Sequence, residues 1–254
     1  MLRRYLLILA LVACAGAATA QTADERGWDH VIQPYLLATS INGDAGLGRV
    51  SGVPVDVSFS DILENLSMGF MLHYEAEHDS GWGLSLDYAF MDLDADTNVG
   101  RGGIVDASLR QAIFEAAVTY GIDSDRGELV FLAGIRRWDN DVRASFDPLI
   151  ISGSLSTRIS DDWIDPIAGA RWTNPMTERW RIRLRGDIGG FGIGSDLTWN
   201  LMASAIFEMN DRFDLELGYR ALGVDYDNGK AANNGFFKYD TTTHGPLVGL
   251  SIKF

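Results

Sequence analysis

Residues 179–188 constrain the fold of this chain more than any other segment. Their sequence, Arg-Trp-Arg-Ile-Arg-Leu-Arg-Gly-Asp-Ile, alternates between charged positions and apolar or small ones. Side chains of a β-strand point alternately to opposite faces, so one face would be apolar and the other would carry four arginines and an aspartate. A soluble sheet could bury the apolar face. A transmembrane barrel would instead turn that face to lipid and the charges to an enclosed lumen.

The N-terminus has the features of a secretory signal peptide. Arg3 and Arg4 precede an apolar run at 6–13, and Ala18-Thr19-Ala20 provides a cleavage site before Gln21. The apolar run is too short to span a bilayer as an uncleaved helix. We therefore expect export and cleavage between Ala20 and Gln21.

Removal of a signal peptide at 1–20 would leave one mature domain at 21–254 that contains no cysteine. Disulfides and thiolate metal sites are then excluded, and we expect no cofactor. The 19 basic and 35 acidic residues of this domain give a net charge of about −16. Such a balance disfavours nucleic acid, whose recognition needs a basic face. Residues 11–14 also fit a lipoprotein signal, which would leave Cys14 lipidated.

The C-terminus favours the membrane barrel. Phe254, Ile252 and Leu250 share one face of a final strand, and Lys253 and Ser251 share the other. A terminal aromatic residue on such a strand resembles the signal read by the bacterial outer-membrane assembly machinery. We therefore expect this machinery and periplasmic chaperones as partners during export. In the Gram-negative outer membrane, the expected partners are membrane lipid and lipopolysaccharide.

The same alternation recurs along the chain. Short and long connectors alternate between these segments, apart from a compact link at 190–196. This pattern predicts an all-β fold, a transmembrane up-and-down antiparallel β-barrel with short periplasmic turns and longer outer loops. Ten strands are predicted, and eight to twelve are compatible with the sequence because Val53–Phe59 also alternates. The predicted strands are 27–38, 66–77, 81–92, 106–122, 128–140, 162–173, 179–190, 197–208, 213–225 and 239–254.

One helix-like segment interrupts this pattern in the first predicted outer loop. Ser60 or Asp61 could cap it, and Ile62, Leu63 and Leu66 would share one face. A helix of one or two turns is marginal alone, so it must pack on something. We expect it to fold over or into the barrel mouth.

Five motifs in the C-terminal part of the chain stand out. They are Trp163-Ile-Asp-Pro-Ile-Ala-Gly-Ala-Arg-Trp172, Arg185-Gly-Asp-Ile-Gly-Gly-Phe-Gly-Ile-Gly-Ser-Asp196, Gly218-Tyr-Arg220, Asp225-Tyr-Asp227 and His244-Gly-Pro246. Together they resemble a largely uncharacterised family of proteobacterial outer-membrane β-barrel proteins. The resemblance is firm over 160–254 and looser through 55–66 and the early strands. More distantly, the chain is similar to the small barrels of the OmpA, OmpX and OmpW type. The resemblance implies the fold and the compartment and transfers no catalytic residue.

The candidate functional site is the set of charged side chains expected on the lumen face. Paired charges would fill a small barrel, which favours a structural or surface-interaction role. Unpaired arginines would instead line a narrow anion-preferring channel. The set comprises Arg181, Arg183, Arg185, Asp187, Arg220, Glu216, Asp87, Glu115, Glu75 and His73.

Other motifs give weaker signals. His73 beside Glu75 could act as a general base in an outer-membrane enzyme, but no serine partner is apparent, so we predict no catalytic residue. Asp92, Asp94, Asp96 and Asn98 lack the glycine and glutamate of a calcium loop, and we predict no metal site. The glycines of 189–194 lack phosphate-loop order and predict a tight turn.

Overall fold

The computed structural model describes residues 27–47, 50–98, 104–147, 155–231 and 235–254. The predicted signal peptide, its cleavage site and Cys14 lie outside the described residues. No helix in these ranges is both long and apolar enough to cross a membrane. The described elements are β1 (Trp28–Leu37), β2 (Ser40–Leu47), β3 (Val50–Val57), α1 (Phe59–Asn65), β4 (Leu66–His78), β5 (Trp82–Asn98), β6 (Ile104–Ser124), β7 (Gly127–Asp147), β8 (Leu155–Pro175), β9 (Trp180–Gly190), β10 (Leu197–Asn210), β11 (Phe213–Asp227) and β12 (Phe237–Lys253).

Ten of the strands close into an antiparallel barrel. β1 pairs with β4, each strand from β4 to β12 pairs with the next, and β12 pairs back with β1. At the closing seam, Val31 lies opposite Lys253 and Leu37 lies opposite Leu247. The predicted up-and-down barrel of ten strands is therefore confirmed.

The other two strands, β2 and β3, lie in the predicted first outer loop. β2 continues along β12 beyond the end of β1, with Ser40 opposite His244 and Leu47 opposite Phe237. β3 then returns along β2 as a hairpin. The alternation at Val53–Phe59 therefore belongs to this extension of the wall and not to a further barrel strand.

Several strands are longer than the sequence pattern predicts. β7 reaches Asp147 and β8 begins at Leu155, so both extend into the predicted loop at 141–161. Alternation of apolar and polar residues marks only the part of a strand that faces lipid. Backbone pairing continues beyond it, from Asn140 opposite Asp161 to Phe146 opposite Leu155.

The outer surface carries a band of exposed apolar side chains. On β5 the band extends from Trp82 to Phe90 at every second residue. At its outer end Asp92 lies 3.2 Å from Arg110 of β6 and begins a charged rim. A transmembrane strand needs about 9–11 residues, which this band provides. Exposed members elsewhere on the barrel include Val118, Phe131, Ile135, Leu184, Leu201 and Leu217.

The helix α1 lies between β3 and β4 and closes part of the barrel mouth. Its Ile62 is buried against Ile41 of β2 and Met91 and Leu93 of β5. The helix begins at a capping box, in which the Ser58 side chain accepts from the backbone N–H of Asp61 and the Asp61 carboxylate accepts from the backbone N–H of Ser58. The predicted short helix in an outer-loop position is confirmed.

Loss of this cap should loosen α1 without unfolding the barrel. The hydrogen bonds from Ser58 hold the pKa of Asp61 below its ordinary value. The stabilisation by ionised Asp61 is therefore complete above the ordinary aspartate pKa and is lost as the pH falls through the lowered one.

We expect Ser58→Ala to speed amide exchange in α1 by roughly fivefold, as loss of a cap worth about 1 kcal/mol implies. Mass spectrometry of exchanged peptides would measure this. Ser60→Ala leaves the three Ser58–Asp61 hydrogen bonds in place, and equal acceleration in this control would contradict the capping role.

Candidate functional site: the filled lumen

The lumen contains a network of ionic side chains drawn from both halves of the barrel. In the described residues, six arginines and six carboxylates face inward within salt-bridge distance of one another. The cations are Arg136, Arg171, Arg181, Arg183, Arg185 and Arg220. The anions are Glu75, Asp87, Glu115, Asp187, Asp214 and Glu216.

Arg136 of β7 is fully buried and lies at the centre of this network. Its Nε donates to Glu115 at 2.9 Å, its Nη2 to Asp187 at 2.6 Å and its Nη1 to Thr198 at 2.9 Å. A buried guanidinium is tolerated only when its donors are met by carboxylates or hydroxyls in this way. Arg136 therefore connects β6, β9 and β10 across the interior.

Glu115 accepts hydrogen bonds from two further arginines. Arg185 donates to it at 2.7 Å and Arg220 at 3.1 Å. Arg220 also donates to Asn200 at 2.9 Å and approaches Asp87 at 3.4 Å. One carboxylate thus faces three guanidinium groups, and the surplus positive charge is met by the neighbouring aspartates.

A second group of pairs lies nearer the short turns. Arg171 donates to Glu75 at 2.5 Å, and Arg181 donates to Asp214 at 2.5 Å. Arg183 approaches Glu216 more loosely, at 3.4 Å, and Gln33 donates to the same carboxylate at 2.8 Å. Lys253 adds a bond of 3.0 Å to Asp214.

His73 bridges the two groups of charges. Its ring nitrogens lie 3.7 Å from Glu75 and 3.3 Å from Asp87. Beside it is a cavity of about 620 Å³ of empty space, including the part open to the outside. Its lining combines arginines of the network, such as Arg171 and Arg183, with apolar side chains such as Val130 and Leu132.

The structure brings together all ten side chains singled out in the sequence. Arg181, Arg183, Arg185 and Asp187 come from β9, and the others from β4, β5, β6 and β11. Sequence reasoning does not single out Arg136, Arg171 or Asp214. Arg136 lies on a strand with apolar residues on both faces, so the alternation that would have identified its inward side is weak there.

An aromatic cluster occupies one side of the outer half of the lumen. Trp163 stacks on Tyr226 with ring centres 3.6 Å apart and on Trp138 at 5.6 Å. Both indole N–H groups donate to Asp165, at 3.0 Å from Trp138 and 3.2 Å from Trp163. The cluster comprises Ile113, Trp138, Trp163, Leu222, Val224, Tyr226, Phe237 and Tyr239. It therefore packs above the ionic network along β6–β8 and β11–β12.

The residues of the expected assembly signal lie at the opposite, short-turn end. Phe254 exchanges backbone hydrogen bonds with His30, at 3.0 and 3.1 Å, and its ring stacks on the His30 ring. Leu250 and Phe254 are exposed on the outer surface, and Ile252 is half-buried between them. The C-terminal residue therefore completes the β1–β12 seam.

Asp92 and Asp94, the first two acidic residues of the 92–98 segment, each have a partner on a neighbouring strand. Asp92 pairs with Arg110, and Asp94 accepts a hydrogen bond of 2.9 Å from Ser67. Within the described ranges, no group of three or more histidine, cysteine, aspartate or glutamate residues is placed to hold a metal ion. The glycine-rich link between β9 and β10 is a tight turn in which Gly190, Phe191 and Gly192 have positive φ.

A closed antiparallel barrel with an apolar exterior and an ionic interior defines an outer-membrane β-barrel protein. No protein-family model and no curated protein matches this sequence. The fold is similar to that of the outer membrane protease OmpT from Escherichia coli, with a TM-score of 0.55, 8% identity and coverage of 91% of this chain and 98% of that one.

Two other solved structures have a lower similarity. The translocator domain of the autotransporter NalP from Neisseria meningitidis has a TM-score of 0.49 and 11% identity, covering 99% of this chain and 94% of that one. Ail, the attachment invasion locus protein of Yersinia pestis, has a TM-score of 0.41 and 15% identity, covering 90% and 99%. At these identities the likeness extends to the fold alone, so function must be argued from the site.

Proposed function

We propose that this protein is a non-conducting outer-membrane barrel with a structural or surface-interaction role. The observation that carries the proposal is the ion-paired layer that crosses the lumen. The ionic layer leaves each of its six arginines with a carboxylate partner, and the aromatic cluster lies above it. A conduit for anions requires cationic side chains whose charge is available to the solute, and the pairing opposes this.

The outward face of the strands beyond the apolar band supports the surface role. Arg158 donates to Asp141 at 3.1 Å, and Arg137 lies 3.4 Å from Asp162. Hydrogen bonding from Arg158 lowers the pKa of Asp141, which keeps this carboxylate ionised. Mixed charges at this level suit contact with lipopolysaccharide head groups and with external partners. The proposal assigns no catalytic step to the barrel.

Conductance in a planar bilayer tests the closed lumen. Heat-modifiable gel mobility would first establish that the detergent-folded barrel is intact. We expect no discrete conductance steps, because the ion-paired layer must rearrange before an ion can pass. Steps with anion selectivity that shrink in Arg183→Gln and Arg185→Gln variants would overturn the proposal and support a narrow anion channel.

A further inference from the structure

The barrel wall is interrupted between β1 and β4. These strands pair from Trp28 opposite His78 as far as Pro34 opposite Leu72. Beyond that rung, among the residues that the structure describes, 35–37 pair only with β12 and 66–71 pair only with β5. The missing backbone N–H of Pro34 acts on the other side of β1, where Gln33 and Pro34 have no partner in β12.

The interruption lies at the level of the outer leaflet. Phe70 of β4 is opposite Phe90 of β5, and Phe90 is the last apolar outward residue before Asp92. The charged rim therefore begins within the interruption, at the level of Met68, and the apolar band extends below it from Phe70. A lipid beside the barrel would present its acyl chains at this depth.

The rim of the interruption is apolar. Leu36 is 66% exposed and Met68 is 57% exposed, with Phe70 beside them on β4. Above them, Phe59 and Leu63 of α1 are also exposed, although Ile62 of the same helix is buried. Exposed apolar groups at this depth need a partner that is itself apolar.

Behind the rim lies a largely apolar cavity. Its empty space is about 500 Å³, including the part open to the outside. Asp87 and Arg220 form the polar floor and lie 3.4 Å apart, so each is already engaged. The apolar lining includes Leu37, Met71, Ala89, Met91, Ile113 and Leu222.

We propose that this cavity binds an acyl chain of a membrane lipid, which reaches it sideways between β1 and β4. The depth, the apolar rim and the apolar lining all favour a flexible hydrocarbon chain over a polar solute. A polar solute would first have to move from water into the apolar, lipid-facing band. The ion-paired floor stops the chain above the ionic network. This binding is independent of whether the lumen conducts, since the cavity opens through the wall.

Photolabelling in vesicles tests the site directly. The probe is phosphatidylcholine with a diazirine midway along one acyl chain, mixed into phosphatidylcholine vesicles that contain the folded full-length mature protein. After irradiation, peptide mass spectrometry should find label on inward-facing Met91 and Ile113 as well as on lipid-facing Leu84 and Leu201. Label confined to lipid-facing residues of a demonstrably folded barrel would overturn the proposal.

A paired set of glycine variants tests the route. A side chain on Gly69, beside the interruption, would first meet the Leu66 side chain at 3.5 Å, and one on lipid-facing Gly186 would first meet Leu201 at 3.3 Å. Gly69→Phe should abolish the label on Met91 and Ile113 and leave lipid-facing label unchanged. Gly186→Phe should retain the label on the inward-facing residues and on the lipid-facing ones. Inward label that survives Gly69→Phe in a folded barrel would overturn access between β1 and β4.

Discussion

Replacing Arg136 with methionine is expected to lower the free energy of unfolding by about 3–5 kcal/mol, the usual cost of removing one partner of a buried ionic group. The side chain is fully buried and bonds to Glu115, Asp187 and Thr198. Without it, Glu115 and Asp187 keep Arg185 as a partner but lose the fully buried guanidinium that joins them to Thr198. Urea titration of the barrel in lipid vesicles, followed by tryptophan fluorescence, would measure the loss.

The neighbouring residue provides a matched control. Arg137 lies next in sequence on the same strand, but its side chain is half exposed and its partners, Asp139 and Asp162, are exposed as well. Arg137→Met should therefore cost at most about 1 kcal/mol, as for surface ion pairs. Equal losses for the two variants would show that water solvates the interior charges and that Arg136 does not hold the network together.

Replacing Trp163 with alanine is expected to cost about 3–5 kcal/mol, because it removes a large buried side chain and leaves a cavity in the outer half of the lumen. Trp163 stacks on both Tyr226 and Trp138 and donates to Asp165. The same urea titration would measure the effect, followed by the fluorescence of the six remaining tryptophans.

Trp82→Ala is the control for this variant. Trp82 is 55% exposed on the lipid-facing surface and contacts chiefly Tyr120, with ring centres 5.0 Å apart. Loss of that pair should cost about 0.5–1.5 kcal/mol. A Trp163→Ala variant no less stable than Trp82→Ala would mean that the aromatic cluster is loosely packed, which would weaken the argument for a closed lumen.

Much of the fold could be predicted from the residues because strand alternation is a local property. The predicted strand at 179–190 agrees with β9 within one residue, and its alternation assigns Arg181, Arg183 and Arg185 to the lumen face. The same reasoning is less informative at 128–140, where Val130 and Leu132 accompany Arg136 on the inward face. It also underestimates β7 and β8, since pairing continues where neither face contacts lipid.

The candidate site was less predictable than the fold. The alternation of side chains between the two faces of a strand identifies which charges point inward. It cannot determine that Glu115 faces Arg136, Arg185 and Arg220 together. These contacts join β6 to β7, β9 and β11, and only the first of those strands is adjacent in the wall. Their distances depend on the stagger and closure of the whole barrel.

The sequence by itself determined the class of fold, the expected outer-membrane compartment and the inward or outward direction of most strand residues. These follow from periodicity and turn spacing, which act within one strand or between two neighbours. Only the tertiary structure decided the ion pairs across the lumen, the aromatic cluster above them and the interruption between β1 and β4. Such features depend on how distant strands are staggered when the sheet closes, and no local pattern of residues specifies that stagger.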